Sequence, residues 1–155
     1  MTGWWIRDAA PADREAVSEC LLAAGIGEWG PFLGEARIRA ANEGRVHPAD
    51  LVAEDESGVF GFVSWEAATG EITRLYVHPR GQRRGAGGAL LARAVEALRE
   101  AGRSEAWLNT EERAAGACAF YEREGWRREG PPRVRDWHGA RLVEPRYVMP
   151  LGSRG

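Results

Sequence analysis

The sequence predicts an α/β fold, with a mixed, mostly antiparallel central sheet of six to seven strands flanked by about four helices. Three observations support this. Seven short segments are predicted to be strands, most of them from β-branched and aromatic residues. Four segments are predicted to be helices, and three of these have start or stop signals. A strand–helix–strand unit spans 71–109. The 155 residues suffice for one ordinary domain and are too few for two, so residues 1–155 are expected to be a single domain.

The N-terminal part of the chain alternates between strand and helix signals. A helix is predicted over 11–24 because Pro11 suits a first helical turn and Gly25 suits a helix end. The glycines and the proline of GIGEWGPFLG predict that the chain then leaves the helix. In order, the expected elements are a strand (4–9), a helix (11–24), an aromatic loop (25–34) and a short helix (35–42).

The rest of the chain begins with a hairpin signal and ends with two strands. LVAED and VFGFVSWEA flank the turn ESG and are typical of antiparallel strands. The helix over 86–101 has apolar residues on one face and ends at Gly102. Because strands flank it, they are expected to be parallel, with a right-handed crossover. The expected elements are strands at 51–55, 59–67 and 71–77, a helix at 86–101, a strand at 105–109, a helix at 110–123, and strands at 126–129 and 146–151 separated by a long loop.

Composition argues against several classes of protein. The formal net charge of −2 gives no overall attraction to nucleic acid or to an anionic membrane. No apolar run approaches the length of a membrane span, and MTGWWIRDAAPAD lacks the pattern of a signal peptide. The two cysteines, Cys20 and Cys118, lie in helical segments without a CxxC motif. We therefore expect neither a disulfide framework nor a metal site, and a cytoplasmic location.

A glycine- and arginine-rich turn, RGQRRGAGGALL (80–91), opens the helix of the strand–helix–strand unit. Glycine weakens a helix by about 1 kcal/mol relative to alanine, and arginine opposes the positive N-terminal end of the helix dipole. A bound anion explains both choices, because free N–H groups and closely approaching glycine backbone bind phosphates well. The turn lacks the GK[ST] of a Walker A loop and the GxGxxG of a dinucleotide site.

Two motifs carry a family resemblance. LYVHPRGQRRGAGGALL resembles the acyl-CoA-binding motif of the GNAT superfamily of N-acetyltransferases, in which a strand is followed by Gln/Arg-x-x-Gly-x-Gly/Ala and a helix. ACAFYEREGW (117–126) resembles the family's Ala-x-x-x-Tyr-Glu-x-x-Gly-Phe segment. The order of elements fits along nearly the whole chain. One departure is Ala114, which stands where the family often has an asparagine, and Asn109 is the nearest substitute.

The resemblance implies acetyl-CoA as co-substrate, an amine that attacks the thioester directly, and a parallel strand pair splayed apart at the cofactor. Tyr121 matches the family's general acid. Glu71, which opens the cofactor strand, is the best candidate for the general base, with Glu66 and Asn109 as alternatives. The pantetheine arm is expected along the backbone of Leu75 and Val77. The pyrophosphate is expected on the turn formed by Gln82, Arg83, Arg84, Gly85, Ala86, Gly87 and Gly88.

The acceptor is expected to be a small-molecule or peptide amine, bound near Trp29, Phe32 and Trp137. The mixture of these aromatics with carboxylates of the same segments favours a cationic amine, whereas neighbouring arginines favour an acidic one. The carboxylates are Glu28, Glu35 and Asp136, and the arginines are Arg37, Arg133 and Arg135. The last strand is expected to be exposed, which would allow two copies of the chain to pair through it as a homodimer. Two rivals are a catalytically degenerate acyl-CoA-binding or regulatory module, supported by Ala114, and an unrelated nucleotide-phosphate-binding α/β domain.

Overall fold

A seven-stranded mixed sheet organises residues 3–152, the part of the chain that the computed structural model describes. Its strands are β1 (Trp4–Asp8), β2 (Leu51–Asp55), β3 (Gly58–Glu66), β4 (Glu71–Val77), β5 (Glu105–Asn109), β6 (Arg127–Arg128) and β9 (Arg146–Pro150). Their order in space is β1-β2-β3-β4-β5-β9-β6. A separate hairpin contains β7 (Arg133–Trp137) and β8 (Ala140–Glu144). The helices are α1 (Arg14–Leu33), α2 (Glu35–Asn42), α3 (Ala86–Glu100) and α4 (Ala115–Arg123).

The predicted fold class is confirmed, and the sheet is covered on both faces. The apolar stripe of α3 packs on one face, where Leu90 and Leu98 are fully buried with Phe60. On the opposite face Val17 and Cys20 of α1 pack against the sheet. Among residues 3–152, no helix has the length and apolar character needed to cross a membrane.

The strands β4 and β5 meet at one point and then diverge. They are the parallel pair of the sheet, and their register contains a single matched position, Glu71 with Trp107. Just beyond it β4 carries a bulge: Ser64 pairs with Arg74 and Trp65 pairs with Ile72, which leaves Thr73 as an extra residue. A bulge increases local twist and turns a strand aside. The edge of β4 that faces β5 is therefore open beyond Glu71.

The expectation of a loop over 25–34 was wrong, because α1 continues to Leu33 with Pro31 inside it. Packing overrides the weak helical propensity of its glycines. Leu33 joins a buried cluster with Ile38 of α2 and Leu142 of β8. A Cβ on Gly25 would lie 3.9 Å from the Ile38 side chain, so a small residue lets the two helices approach closely. The aromatic residues of this segment consequently project from a helix.

Three expectations about the C-terminal part also need correction. The segment between the last two strands of the sheet is the β7–β8 hairpin, whose turn has positive φ at His138 and Gly139, as a two-residue hairpin turn requires. The helix expected over 110–123 starts only at Ala115. The last strand, β9, is not exposed at an edge, because it pairs with both β5 and β6.

Candidate active site

The open edge of β4 presents main-chain groups to the gap between β4 and β5. The N–H of His78 donates to the carbonyl of Phe60 on β3. Since the direction of hydrogen bonding alternates along a strand, the main-chain groups of Leu75 and Val77 point away from β3 and into the gap. The side-chain amide of Gln82 donates to the Val77 carbonyl at 3.1 Å. This edge can accept an extended ligand as an added strand.

The glycine-rich turn places the N-terminus of α3 at the end of this gap. Gly85 is the residue before the helix and has a φ of 82°, a conformation that glycine adopts without strain. A Cβ on Gly81 would lie 2.1 Å from the Phe60 ring, so only glycine fits there. A Cβ on Gly87 would lie 3.6 Å from Phe120 and 3.7 Å from Val77. Gly87 therefore lies between β4 and α4, close to the N–H groups of the first turn of α3 that have no acceptor within the helix.

The arginines of the turn have different surroundings. Arg80 and Arg84 both form ion pairs with Asp55, at 3.2 and 2.7 Å, and both guanidinium groups lie over the Phe60 ring. The hydrogen bond from Arg84 holds the pKa of Asp55 below its usual value. Arg83 is exposed and has no ion pair or hydrogen bond of its side chain within residues 3–152. Arg83 thus offers its guanidinium to an anion, whereas the side chain of Arg84 holds the turn against β2.

Tyr121 lies on α4 and packs into an aromatic cluster. Its ring centroid is 5.1 Å from that of Phe120, 6.0 Å from Trp126 and 5.9 Å from Tyr147. The residue is 9% exposed, and burial raises the pKa of its phenol well above the usual value. Its hydroxyl has no hydrogen-bond partner in the described part of the chain. It is therefore a fully protonated phenol with an uncommitted O–H.

Glu71 lies at the point where β4 and β5 begin to diverge. It is half-buried, and burial raises the pKa of its carboxyl, while the charge of Arg133 opposes the rise. Glu66 is its cross-strand neighbour on β3. Asn109, the other alternative, uses its amide to donate to the carbonyl of Glu144 at 3.1 Å. Glu71 therefore combines position and basicity, whereas Asn109 links β5 to β8.

A cavity of about 200 Å³ lies on the other face of β4, between α1, α2 and the hairpin. Trp29 and Trp137 line it together with Tyr76, whose ring meets Trp29 edge-on at 5.9 Å. Phe32 is not part of the lining, and the guanidinium of Arg113 lies over its ring at 4.5 Å. The structure thus brings together two of the three aromatic residues expected at the acceptor site.

The two carboxylates that line the cavity are engaged in ion pairs and hydrogen bonds. Glu111 accepts from Arg113 and from the N–H of Val143, both at 2.7 Å. Burial opposes ionisation of Glu111, but these bonds hold its pKa below the usual value. Glu144 likewise accepts from two arginines of β7, and its pKa is lowered although burial opposes this. Both carboxylates are therefore neutralised by groups of the protein.

Among the residues that sequence reasoning did not place at this cavity are Arg74, Tyr76 and His47. Side chains of a strand alternate between the two faces of the sheet. Since Leu75 lies between Arg74 and Tyr76 on β4, this alternation could have placed Arg74 and Tyr76 together on the face opposite Leu75. His47 lies between α2 and β2, outside the helices and strands. It is only 9% exposed, and burial together with two nearby arginines lowers the pKa of its imidazole. No local signal in the sequence indicates that burial.

The departure at Ala114 leaves α4 without a capping side chain of its own. Glu28 of α1 supplies one across the fold, because its carboxylate accepts from the N–H of Ala117 at 2.9 Å. An acidic group at this position also suits the positive end of the helix dipole. The first turn of α4 is thereby tied to the helix that lines the cavity.

Comparisons with solved structures agree on the fold. A GCN5-related N-acetyltransferase structure from Rhodopseudomonas palustris superimposes with a TM-score of 0.78, at 19% identity and with 97% of each chain covered. The yncA structure from Salmonella typhimurium, solved with its cofactor acetyl-CoA, has a TM-score of 0.69 at 23% identity, covering 99% of this chain and 96% of that one.

Sequence comparison points in the same direction. Mycothiol acetyltransferase from Beutenbergia cavernae is 41% identical over 80 residues, which is 49% of this chain and 27% of the relative. This chain therefore matches only about a quarter of that protein's length. The family model described as an acetyltransferase (GNAT) domain matches residues 48–128, which contain the open edge of β4, the glycine-rich turn and Tyr121. The chain belongs to the GNAT acetyltransferase family.

Proposed function

We propose that this protein transfers the acetyl group of acetyl-CoA to a primary amine, which attacks the thioester directly. The observation that carries the proposal is the open edge of β4 next to the glycine-rich N-terminus of α3. The two features together suit a ligand that has an extended amide-bearing arm at one end and phosphates at the other. Family membership and the acetyl-CoA of the yncA structure support the identity of the donor.

The residues present fit acetyl-CoA. The main-chain groups of Leu75 and the N–H of Val77 are open to the amides of a pantetheine arm. The N–H groups from Gln82 to Gly88 suit a pyrophosphate, and the guanidinium of Arg83 adds positive charge there. Gly87 leaves room against Val77 and Phe120 for a ligand to approach the backbone. Acetyl-CoA supplies an activated acetyl group in the form of a thioester.

Two side chains of the protein manage the protons. An amine is protonated in water at neutral pH, since its ordinary pKa is about 10.4 for a lysine-like group. Glu71, with its raised pKa, is the proposed acceptor of that proton, directly or through water. Tyr121 is the proposed donor of a proton to the departing thiolate, a role that its uncommitted O–H suits. The N–H groups of β4 are suited to stabilise negative charge that develops on the acetyl oxygen.

The test is release of free CoA thiol from acetyl-CoA in the presence of a broad panel of primary amines, with mass spectrometry of the products. We expect amine-dependent release and an acceptor heavier by one acetyl group. The alternative is a catalytically degenerate acyl-CoA-binding module, which Ala114 and the burial of Tyr121 favour. Tight binding of acetyl-CoA in calorimetry, without turnover on any amine, would establish that alternative instead.

A further inference from the structure

The cavity behind β4 contains hydrogen-bond donors that have no partner. The indole N–H of Trp29 is buried and bonds to nothing within residues 3–152. A buried donor without a partner costs free energy, so such groups are uncommon and usually have an explanation. A ligand that offers an acceptor atom at this position provides one.

Arg74 is a second unpartnered donor in the same cavity. It is half-buried, it lines the cavity, and its guanidinium forms no ion pair or hydrogen bond with the described residues. Arg45 and His47 lie beside it, and the charges of both arginines oppose protonation of the imidazole. Because the imidazole of His47 is neutral, it adds no third positive charge beside the two guanidinium groups. The carboxylates of the lining, Glu111 and Glu144, are committed to other arginines.

The structure also removes the basis for expecting a cationic acceptor. That expectation rested on acidic residues of the neighbouring segments, and each of them has a partner inside the protein. Glu28 accepts from the N–H of Ala117, Glu35 pairs with Arg39, and Asp136 accepts from the N–H of Gly139. These contacts hold the three carboxylates outside the cavity, and none of them belongs to its lining. Among the described residues, the charged side chains of the lining that form no ion pair are Arg45 and Arg74.

We propose that the amine acceptor also carries a carboxylate, which binds in this cavity to the guanidinium of Arg74 and the indole N–H of Trp29. This inference rests on the proposed function and specifies its substrate class. The cavity of about 200 Å³ is smaller than the roughly 300–1,000 Å³ of typical drug-sized sites. Its aromatic walls, Trp29, Tyr76 and Trp137, suit an apolar side chain. The acceptor class is thus amino-acid-sized molecules with a free amine and a free carboxylate.

The experiment compares three matched acceptors: phenylalanine, phenylalaninamide and phenethylamine. All three have the same ring and a primary amine, and only the first has a carboxylate. We expect kcat/KM for phenylalanine to exceed that for the other two by about 10- to 100-fold, as suits a charge-assisted hydrogen bond. The leucine series repeats the comparison without an aromatic ring.

Substitutions of Arg74 test whether this residue causes the preference for an acceptor with a carboxylate. Arg74→Leu should abolish the preference while the Kd for acetyl-CoA stays unchanged, and Arg74→Lys should retain part of it because the charge remains. Arg93→Leu, on the exposed side of α3, is the matched control and should keep the full preference. Equal kcat/KM for the three acceptors, or a preference that survives in Arg74→Leu, would overturn the inference.

Failure of the proposed function is distinguishable from failure of this inference. If no amine is acetylated, the proposed function fails, and calorimetric titration of the wild-type protein with the same three compounds still tests the cavity. Tighter binding of phenylalanine than of phenethylamine, lost in Arg74→Leu, would support the carboxylate site. Equal or absent binding of all three would refute it.

Discussion

Burial has opposite chemical consequences for the two side chains proposed to move protons. It disfavours the charged form of either group, so both pKa values rise. For the carboxyl of Glu71 a higher pKa means a stronger base. For the phenol of Tyr121 it means a hydroxyl that stays protonated at neutral pH and is a weaker acid than an exposed tyrosine. Burial therefore strengthens the proposed base and weakens the proposed acid, which makes Tyr121 the residue whose role most needs a test.

Tyr121→Phe should lower kcat by about ten-fold to ten-thousand-fold, because the substitution removes the O–H and keeps the ring. The Kd for acetyl-CoA and the thermal midpoint should change little. Tyr147→Phe is the control: its ring touches Tyr121, but its hydroxyl is committed to Glu122 and Arg128. Steady-state kinetics of both variants check this, and full activity of Tyr121→Phe would leave that residue with a packing role only.

Glu71→Gln should lower kcat by about 10²- to 10⁴-fold and remove the acidic limb of the pH profile of kcat/KM. Because burial raises the pKa of Glu71, activity in the wild type should rise with pH through a midpoint above 4.5, the usual value for glutamate. Glu66→Gln, on the neighbouring strand, is the matched variant. If Glu66→Gln loses the acidic limb and Glu71→Gln keeps it, the base is Glu66.

At the proposed cofactor site, the start of α3 is less stable as a helix but more accessible to a ligand. The start of α3 is built from residues that form helices poorly, and the ion pairs of Arg80 and Arg84 with Asp55 hold its preceding turn in place. The single register position shared by β4 and β5 leaves their gap open. An anchored turn and an open strand edge together make a site that needs little rearrangement on binding.

Gly87→Glu should abolish acetyl-CoA binding with the fold retained, because a carboxylate would stand in the proposed phosphate site. Gly87→Ala is the control. An alanine Cβ meets Phe120 and Val77 at ordinary contact distances of 3.6–3.7 Å, and alanine favours a helix, so this variant should be at least as stable as the wild type. Calorimetric titration and thermal unfolding measure both. Wild-type affinity in Gly87→Glu would mean that the phosphates bind elsewhere.

At the scale of the whole molecule, carboxylates paired with arginine join segments that are distant in sequence. Arg7 of β1 bonds Asp13, before α1, and Glu54 of β2 at 2.9 Å each. Glu111, before α4, accepts from the N–H of Val143 on β8. Hydrogen bonds from their partners hold the pKa of each of these carboxyls below its usual value, against the opposing effect of burial. The stability of the assembled fold is thereby linked to pH.

Stability should fall as the solution is acidified. For a group whose pKa is lower in the folded state, the unfolded chain binds more protons, so its contribution is present above the unfolded pKa and is lost as pH drops. Protonation of His47 in the unfolded chain lowers the stability below about pH 6.5, the usual pKa of histidine. Protonation of the paired carboxyls lowers it further as the pH falls through their usual pKa values of 3.8 and 4.5. Glu71 opposes them, because burial raises its pKa.

Urea unfolding followed by circular dichroism from pH 7 to pH 3.5 measures this dependence. Glu144→Gln should be less stable than the wild type at pH 7, because it loses the charge that Arg133 and Arg135 neutralise, and its stability should decline less on acidification. Unfolding midpoints that are independent of pH would contradict the linkage.

The sequence by itself determined the elements with strong local signals and the two motifs. The strands Leu51–Asp55, Glu71–Val77 and Glu105–Asn109 begin and end where alternation and turn residues predict them. The helix α3 follows its apolar stripe and its glycine stop. These signals depend on residues a few positions apart, so they can be read without knowing the fold. The glycine-rich turn and the Tyr121 segment likewise indicated the family.

Only the tertiary structure decided the length of α1, the β7–β8 hairpin and the charge of the cavity. The helix continues through residues 25–33 because Leu33 is buried against α2 and β8, which outweighs local glycine and proline. The carboxylate of Glu28 accepts from the N–H of Ala117, 89 positions away along the chain, and that of Glu111 accepts from the N–H of Val143, 32 positions away. Such pairings depend on which segments the fold brings together. Charge counted along the sequence therefore favoured a cationic acceptor, whereas the unpaired arginines that the fold leaves in the cavity are the basis for proposing an acceptor that also carries a carboxylate.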